Sequence, residues 1–484
     1  MSGAAENPGA SGLVARETGP GATETNGKPS LAVWLLVGSA FVMVLMETVM
    51  SVALPTLVTQ LHVTVATAQW LTSGFLLTMA VVIPITGFLL QRFTPRAVYL
   101  TSMSLFSAGT LAAALAPGFG ALMAGRVVQA AGTAVMVPLL MTSVIRLVPA
   151  DRRGATMGTI TVVIAVAPAI GPTLSGTILT TLGWRWMFGL VLPIALIALA
   201  AGATWLRMAA ETRRVPLDVW SVLLSVVAFG GLVLGLSAVG EAVRGVGQLS
   251  PGPPAVAGAV ALAVFVARQL RLQRDGRALL DLRPLAHRAF TISLLLMMLG
   301  MMSLFGVLIL LPLYLQDVMG VNAFATGLAL LPGGLVMGLL GPVVGRWYDK
   351  LGARPLVTPG AVVLCLALWS FVTLGTGTPL WLVVGMHVVL VVGLSLMFTP
   401  LMTDALGLLP GDLDSHGTAI VSTLQQVAGA AGTALFITVM TLAAHDPTKA
   451  TDAPGGQAAF LVAAAIGTVA VPLTLLVGRR KPGS

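Results

Sequence analysis

The run LAVWLLVGSAFVMVLMETVMSVALPTL, residues 31–57, decides what kind of molecule this is. Every residue from Leu31 to Met46 is apolar or small. About 20 such residues make a helix long enough to cross the hydrocarbon core of a bilayer. At about 1.5 Å of rise per residue, Glu47 falls ~24 Å along that helix. A carboxylate in such a place costs a few kcal/mol or more, so these residues generally face a cavity and serve a function. Glu47 therefore reads as a proton or substrate site near mid-membrane. The alternative is a helix-end glutamate snorkelling to the interface.

Composition supports the same class. Hydrophobic residues make up 57% of the 484-residue chain and charged residues 9%, and mean hydropathy is +0.97. Soluble domains carry about 25% charged residues. The net charge of +9 would suggest a nucleic-acid partner in a soluble protein, but here it is carried by loops between apolar runs, and no nucleic acid is expected. The lone cysteine, Cys365, permits no internal disulfide, and no Cys/His cluster suggests a metal. Neither a P-loop nor a Gly-x-Gly-x-x-Gly pattern occurs, and no Ser/His pair suggests catalysis, so no cofactor is expected and an intramembrane enzyme is disfavoured. A channel is disfavoured too, since no filter-like motif is present.

Fourteen apolar runs are expected to span, at about 31–55, 67–90, 97–116, 120–145, 156–180, 186–206, 220–240, 254–270, 290–315, 324–345, 355–375, 380–402, 418–441 and 457–477. They exclude a β-barrel, whose strands are ~10 residues long. With the amino terminus inside, the inner loops hold 22 Lys and Arg and the outer loops three, Arg185, Arg244 and Lys449. That split follows the positive-inside rule and places both termini in the cytoplasm. One inner segment dissents: 403–417 has Asp404, Asp412 and Asp414 without a basic residue.

Two inner loops resemble each other. Gly87 to Arg96 follows the second run and Gly345 to Arg354 the tenth, at an offset of 258 that also relates Gly171 to Gly429. The offset implies an all-α membrane protein of two six-helix pseudo-symmetric bundles with two inserted helices. Expected divisions are a disordered tail at 1–30, a first bundle at 31–206, a linker with two extra helices at 207–289, a second bundle at 290–478 and a tail at 479–484. Parallel repeats of this kind place their site at midplane between the halves.

Several motifs carry a family resemblance: METVMSVALP at 46–55, Gln69-Trp70, Arg126…Gln129…Gly132, Gly171-Pro172…Gly176, Trp184-Arg185-Trp186, and Pro312…Tyr314…Gln316. Their order and placement resemble the major facilitator superfamily, and within it the fourteen-helix drug:proton antiporters, over residues 31–478. The resemblance implies a proton-coupled exporter of amphipathic small molecules in the cytoplasmic membrane; the alternative is a dedicated exporter of one metabolite, antibiotic or lipid. Nothing in the sequence demands an oligomer, so a monomer among membrane lipids is expected. The resemblance also makes Gly171, Pro172 and Gly176 the antiporter motif. Three departures stand out. The family's first-helix acid sits at the position of Met46, one residue before Glu47. Gln91 and Thr94 replace an Asp and a Gly that the second copy keeps as Asp349 and Gly352. Ser175 replaces a glycine of the antiporter motif.

Arg126 lies at a depth within ~3 Å of Glu47, and a buried cation favours a partner, so the two are expected to pair and to couple protons. The alternative is a purely structural ion pair. Met43, Met50, Met298 and Met302 offer adaptable cavity surface, and Gln129 and Gln425 offer hydrogen bonds; ordinary packing would explain both groups equally. Gln91, Arg92 and Arg96, and Asp349, Lys350 and Arg354, are the expected gating loops, with Asp349 accepting from helix amides and from Lys350 or Arg354. His387 reads as a packing residue before a proton site, and Asp317 and Asp404 as interface carboxylates. The arginine-rich stretch 268–288 is expected to hold topology and touch anionic lipid.

Overall fold

The computed structural model describes residues 31–63, 65–206, 218–243, 250–411, 413–444 and 452–478, apart from some side chains inside helices. Fourteen long helices account for most of these residues: α1 Leu31–Gln60, α2 Val65–Arg92, α3 Pro95–Ala114, α4 Phe119–Leu147, α5 Arg153–Thr181, α6 Arg185–Trp205, α7 Val219–Val243, α8 Gly252–Leu272, α9 Arg288–Leu313, α10 Ala323–Leu351, α11 Arg354–Val372, α12 Leu380–Gly407, α13 Asp414–Leu442 and α14 Ala453–Thr474. Among the described residues no strand occurs, as expected where every backbone polar group must be satisfied within its own helix. Thirteen of the helices are long and apolar enough to cross a membrane; α5 contains residues outside the described set. The expected tails at 1–30 and 479–484, and Arg207, Arg213, Arg214, Arg244, Lys449 and Asp412, also lie outside the described residues.

The chain is punctuated by residues that stop helices. Thr94 caps α3 through its hydroxyl, with Pro95 at the first helical position, where proline loses no bond. Asn322 and Asp452 cap α10 and α14 in the same way.

Helices α1–α6 form one bundle and α9–α14 the other, with α7 and α8 packed together beside them. Two seams join the halves. One sets α5 against α10, the most extensive helix pair in the molecule; the other sets α2 against α13. These are the second and fifth helices of opposite halves, as the repeat requires. The inserted pair is not symmetric: α7 packs on both α2 and α13, so it covers one seam only. Its own contact is close, since a Cβ on Gly231 would lie 2.8 Å from the Pro254 carbonyl oxygen, and Phe229 meets Phe265 edge-on at 5.9 Å.

Candidate functional site

The midpoint of α1 is fastened from two sides. From α4, the fully buried Arg126 donates Nη1 to the Met46 carbonyl at 3.4 Å and to Gln129 Oε1 at 2.6 Å, and Nε to the Leu71 carbonyl at 3.5 Å. Its guanidinium lies 4.0 Å from the centroid of Phe75, and Nη2 is buried without a hydrogen-bond partner. From α5, Ser175 donates its hydroxyl to the Val49 carbonyl at 2.8 Å. One turn away on the same face, Gly171 lies so close to Thr48 that a Cβ would overlap the threonine hydroxyl. Glu47 sits between the two fastenings.

The expected direct pairing of Glu47 with Arg126 is not what this structure contains. Their charges act on each other, yet no ion pair within 4 Å joins them among the described residues. The guanidinium takes the Met46 backbone instead. The reason is helical phase: one residue turns a helix by about 100°, and Met46 is fully buried while Glu47 is only half-buried. Glu47, one step further along the helix, stands near the arginine without forming an ion pair within 4 Å of it.

Gln129 is committed to a network. It accepts from Arg126 and donates Nε2 to Thr110 Oγ1 at 2.8 Å, and its backbone carbonyl accepts from Thr133. With Met43 and Met50 it is fully buried and carries no open surface in this state. Met298, Met302 and Gln425 are half-buried. Gly176 is half-buried in α5, and the side chain of Pro172 lies outside the described set. Ser175 was visible only as a departure from a motif; its bond to α1 needed the fold.

At the end of the bundle where α1 begins, Asp349 of α10 accepts from the Gly154 and Ala155 amides at 2.8 and 2.9 Å, at the amino terminus of α5. These amides have no partner within their own helix, and the helix dipole favours an anion there. Lys350 and Arg354, expected partners of Asp349, form no ion pair among the described residues. On the other seam, Gly87 of α2 faces His416 of α13, and Gln91 is half-buried one turn further on. Arg92 lies 5.9 Å from the centroids of Phe88 and Phe93, and Arg96 donates to the Ala203 carbonyl.

Other residues depart from their sequence reading. Asp404 is 5% exposed, buried in the last turns of α12, and Asp414 is buried at the start of α13. Asp317 is exposed, as an interface carboxylate should be. His387 packs against Gly333 of α10, with Nδ1 buried and unpartnered. Among the described residues no group of three or more His, Cys, Asp or Glu could hold a metal.

Two pseudo-symmetric bundles of long apolar helices, with a half-buried carboxylate and a buried guanidinium in one of them, define a multi-pass membrane transporter. Residues 36–433 match the Major Facilitator Superfamily, and the chain belongs to it. Among its relatives is the "Lincomycin resistance protein LmrB" of Listeria innocua, 41% identical over 85% of this chain and 86% of that protein. The "Multidrug resistance protein B homolog" of Mycobacterium tuberculosis is 29% identical over 81% of this chain and 73% of its own length. The fold is that of the solved proton:xylose symporter XylE, at a TM-score of 0.64, 16% identity and coverage of 93% and 96% of the two chains.

Proposed function

We propose that this transporter is a proton-coupled antiporter that exports amphipathic drugs or similar small molecules across the cytoplasmic membrane. The observation that carries the reading is Glu47: a half-buried carboxylate in the middle of α1, beside a buried guanidinium with an unpartnered Nη2. The acid can take up a proton or face a substrate, and Arg126 can answer the change without leaving its own network. A membrane potential acts on each moving charge with ~2.3 kcal/mol per 100 mV. The relatives' names support drugs as substrates. One of them names a single antibiotic, which favours a narrower range as the second reading.

The end of the bundle carrying Asp349, Arg92 and Arg96 is proposed as cytoplasmic, with Met298, Met302 and Gln425 on the substrate path and the chain acting as a monomer. The bundle limits at 31–206 and 290–478 stand as proposed. Glu47→Gln keeps size and hydrogen bonding but cannot cycle a proton. In everted vesicles it should abolish pH-gradient-driven accumulation of lincomycin and of cationic dyes while the protein stays folded. Wild-type accumulation would remove Glu47 as the coupling acid. Transport of lincomycin without dyes would select the narrower reading.

A further inference from the structure

The segment between α8 and α9 has two faces, and they differ in how their charges are treated. Its inner side is built into the protein. Ala278, Leu279, Leu280 and Asp281 are buried. Gln269 Oε1 accepts from the Leu279 and Leu280 amides at 2.9 and 3.3 Å, and the Asp281 amide donates to His416 Nδ1 of α13 at 3.2 Å. Two arginines of the segment are neutralised: Arg268 forms a two-bond pair with Asp218 at 2.7 and 2.9 Å, and the exposed Arg283 pairs with the buried Asp281 at 2.6 Å. Hydrogen bonding from Arg268 pulls the Asp218 carboxyl down to about 2.

Arg271, Arg274, Arg277 and Arg288, by contrast, are exposed and form no ion pair among the described residues, against one exposed acid, Asp275. The segment is bracketed by two helices that are long and apolar enough to span. Its depth is therefore that of the lipid headgroups. Four unneutralised guanidiniums at that depth are matched by phosphate-bearing anionic lipid, since each arginine near an anionic surface contributes roughly fivefold in binding.

We propose that Arg271, Arg274, Arg277 and Arg288 form a docking surface for anionic phospholipid headgroups, and that lipid bound there steadies residues 278–282 against α13. The buried side of the segment is the transmitting part: it holds His416, which faces Gly87 of α2, so the lipid surface lies two contacts from a seam between the halves. This goes beyond general lipid contact and is independent of Glu47.

The test uses the purified full-length chain in phosphatidylcholine liposomes with or without phosphatidylglycerol, reading melting temperature and hydrogen exchange of 278–282 and the start of α13. Phosphatidylglycerol should raise the first and slow the second. R271Q/R274Q/R277Q should lose most of both effects, whereas removal of three charges in R479Q/R480Q/K481Q should keep them. Glu47→Gln should respond like the parent, which separates this proposal from the coupling reading. Raising salt should release the lipid effect from the unmodified protein, a measurement that needs no variant to fold. An undiminished response in the triple variant, an equal loss in the tail variant, an effect that survives high salt, or its full reproduction by inorganic phosphate would each overturn the assignment.

Discussion

Pseudo-symmetry relates the α5–α10 seam to the α2–α13 seam, but the two are closed by different physics. On α5–α10 the closure is backbone against backbone: a Cβ on Gly158 would overlap the Gly341 carbonyl oxygen, and one on Gly345 the Gly154 carbonyl oxygen. Asp349 then ties the end through two amides. On α2–α13 a side chain fills the gap, with His416 Nδ1 2.8 Å from a Cβ placed on Gly87. Gln91 stands at the position equivalent to Asp349, and α13 opens on its own acid, Asp414, where α5 has none in its first turn. The inserted pair and the 278–282 segment supply what the charge does not: α7 covers that seam and Asp281 holds His416. The inserted pair and the neutral Gln91 belong to the same seam.

The largest expected effect breaks the comparison at its tightest point. Gly158→Ala sets a methyl against backbone that cannot yield, at a cost of about 3 kcal/mol. Gly87→Ala meets one side chain, His416, which can turn only by giving up its bond from the Asp281 amide, and should cost about 1 kcal/mol. Transport and melting temperature of the two variants, measured side by side, should differ sharply; equal loss would mean that both seams are equally rigid.

Next, Asp349→Asn replaces a charged acceptor by an amide that can satisfy only part of the pair. A hydrogen bond to a charged group contributes about 2 kcal/mol, or roughly thirtyfold in an equilibrium. Transport should fall severely, while Gln91→Asp should be tolerated or change only the rate. Severe damage from both would show that the α2 loop is built around its glutamine.

Ser175→Ala should cost about 1 kcal/mol by freeing the Val49 carbonyl from its side-chain donor. If the fastening sets the angle at which Glu47 is presented, the pH profile of transport should move as well as the stability. Loss of stability with an unchanged profile would leave Ser175 as packing alone.

The smallest effect concerns the buttress of the α2–α13 seam. Asp218→Asn removes one partner of the Arg268 pair, whose arginine side chain is 37% exposed, at about 1 kcal/mol. Because the Asp218 carboxyl is held down to about 2, its stabilisation is complete above the ordinary carboxylate range and is lost only as pH falls through that low value. The melting difference between parent and variant should therefore be the same at about pH 5.5 and about pH 8. A difference that shrinks at the lower pH would place another titrating group in the latch.

Much of this protein was legible in one dimension. Length and hydropathy of each run fix a spanning helix, because lipid leaves the backbone no other partner. The offset between Gly87 and Gly345 pointed to a repeat, and Asp349 read as an acceptor for helix amides and for Lys350 or Arg354, of which the amides are what it meets. What the sequence could not determine was azimuth and contact across the bundle. Glu47 and Arg126 match in depth, which rise per residue dictates, but whether they touch depends on how α1 is rotated, and Arg126 and Ser175 set that from other helices. Asp404 looked like an interface carboxylate because it lies near a span's end, yet α12 carries it into the protein. The 278–282 segment read as a basic loop, since its burial rests on Gln269 and on His416, the latter 135 positions from Asp281 in the chain. Periodicity reports which residues share a helix; only packing decides what each face meets.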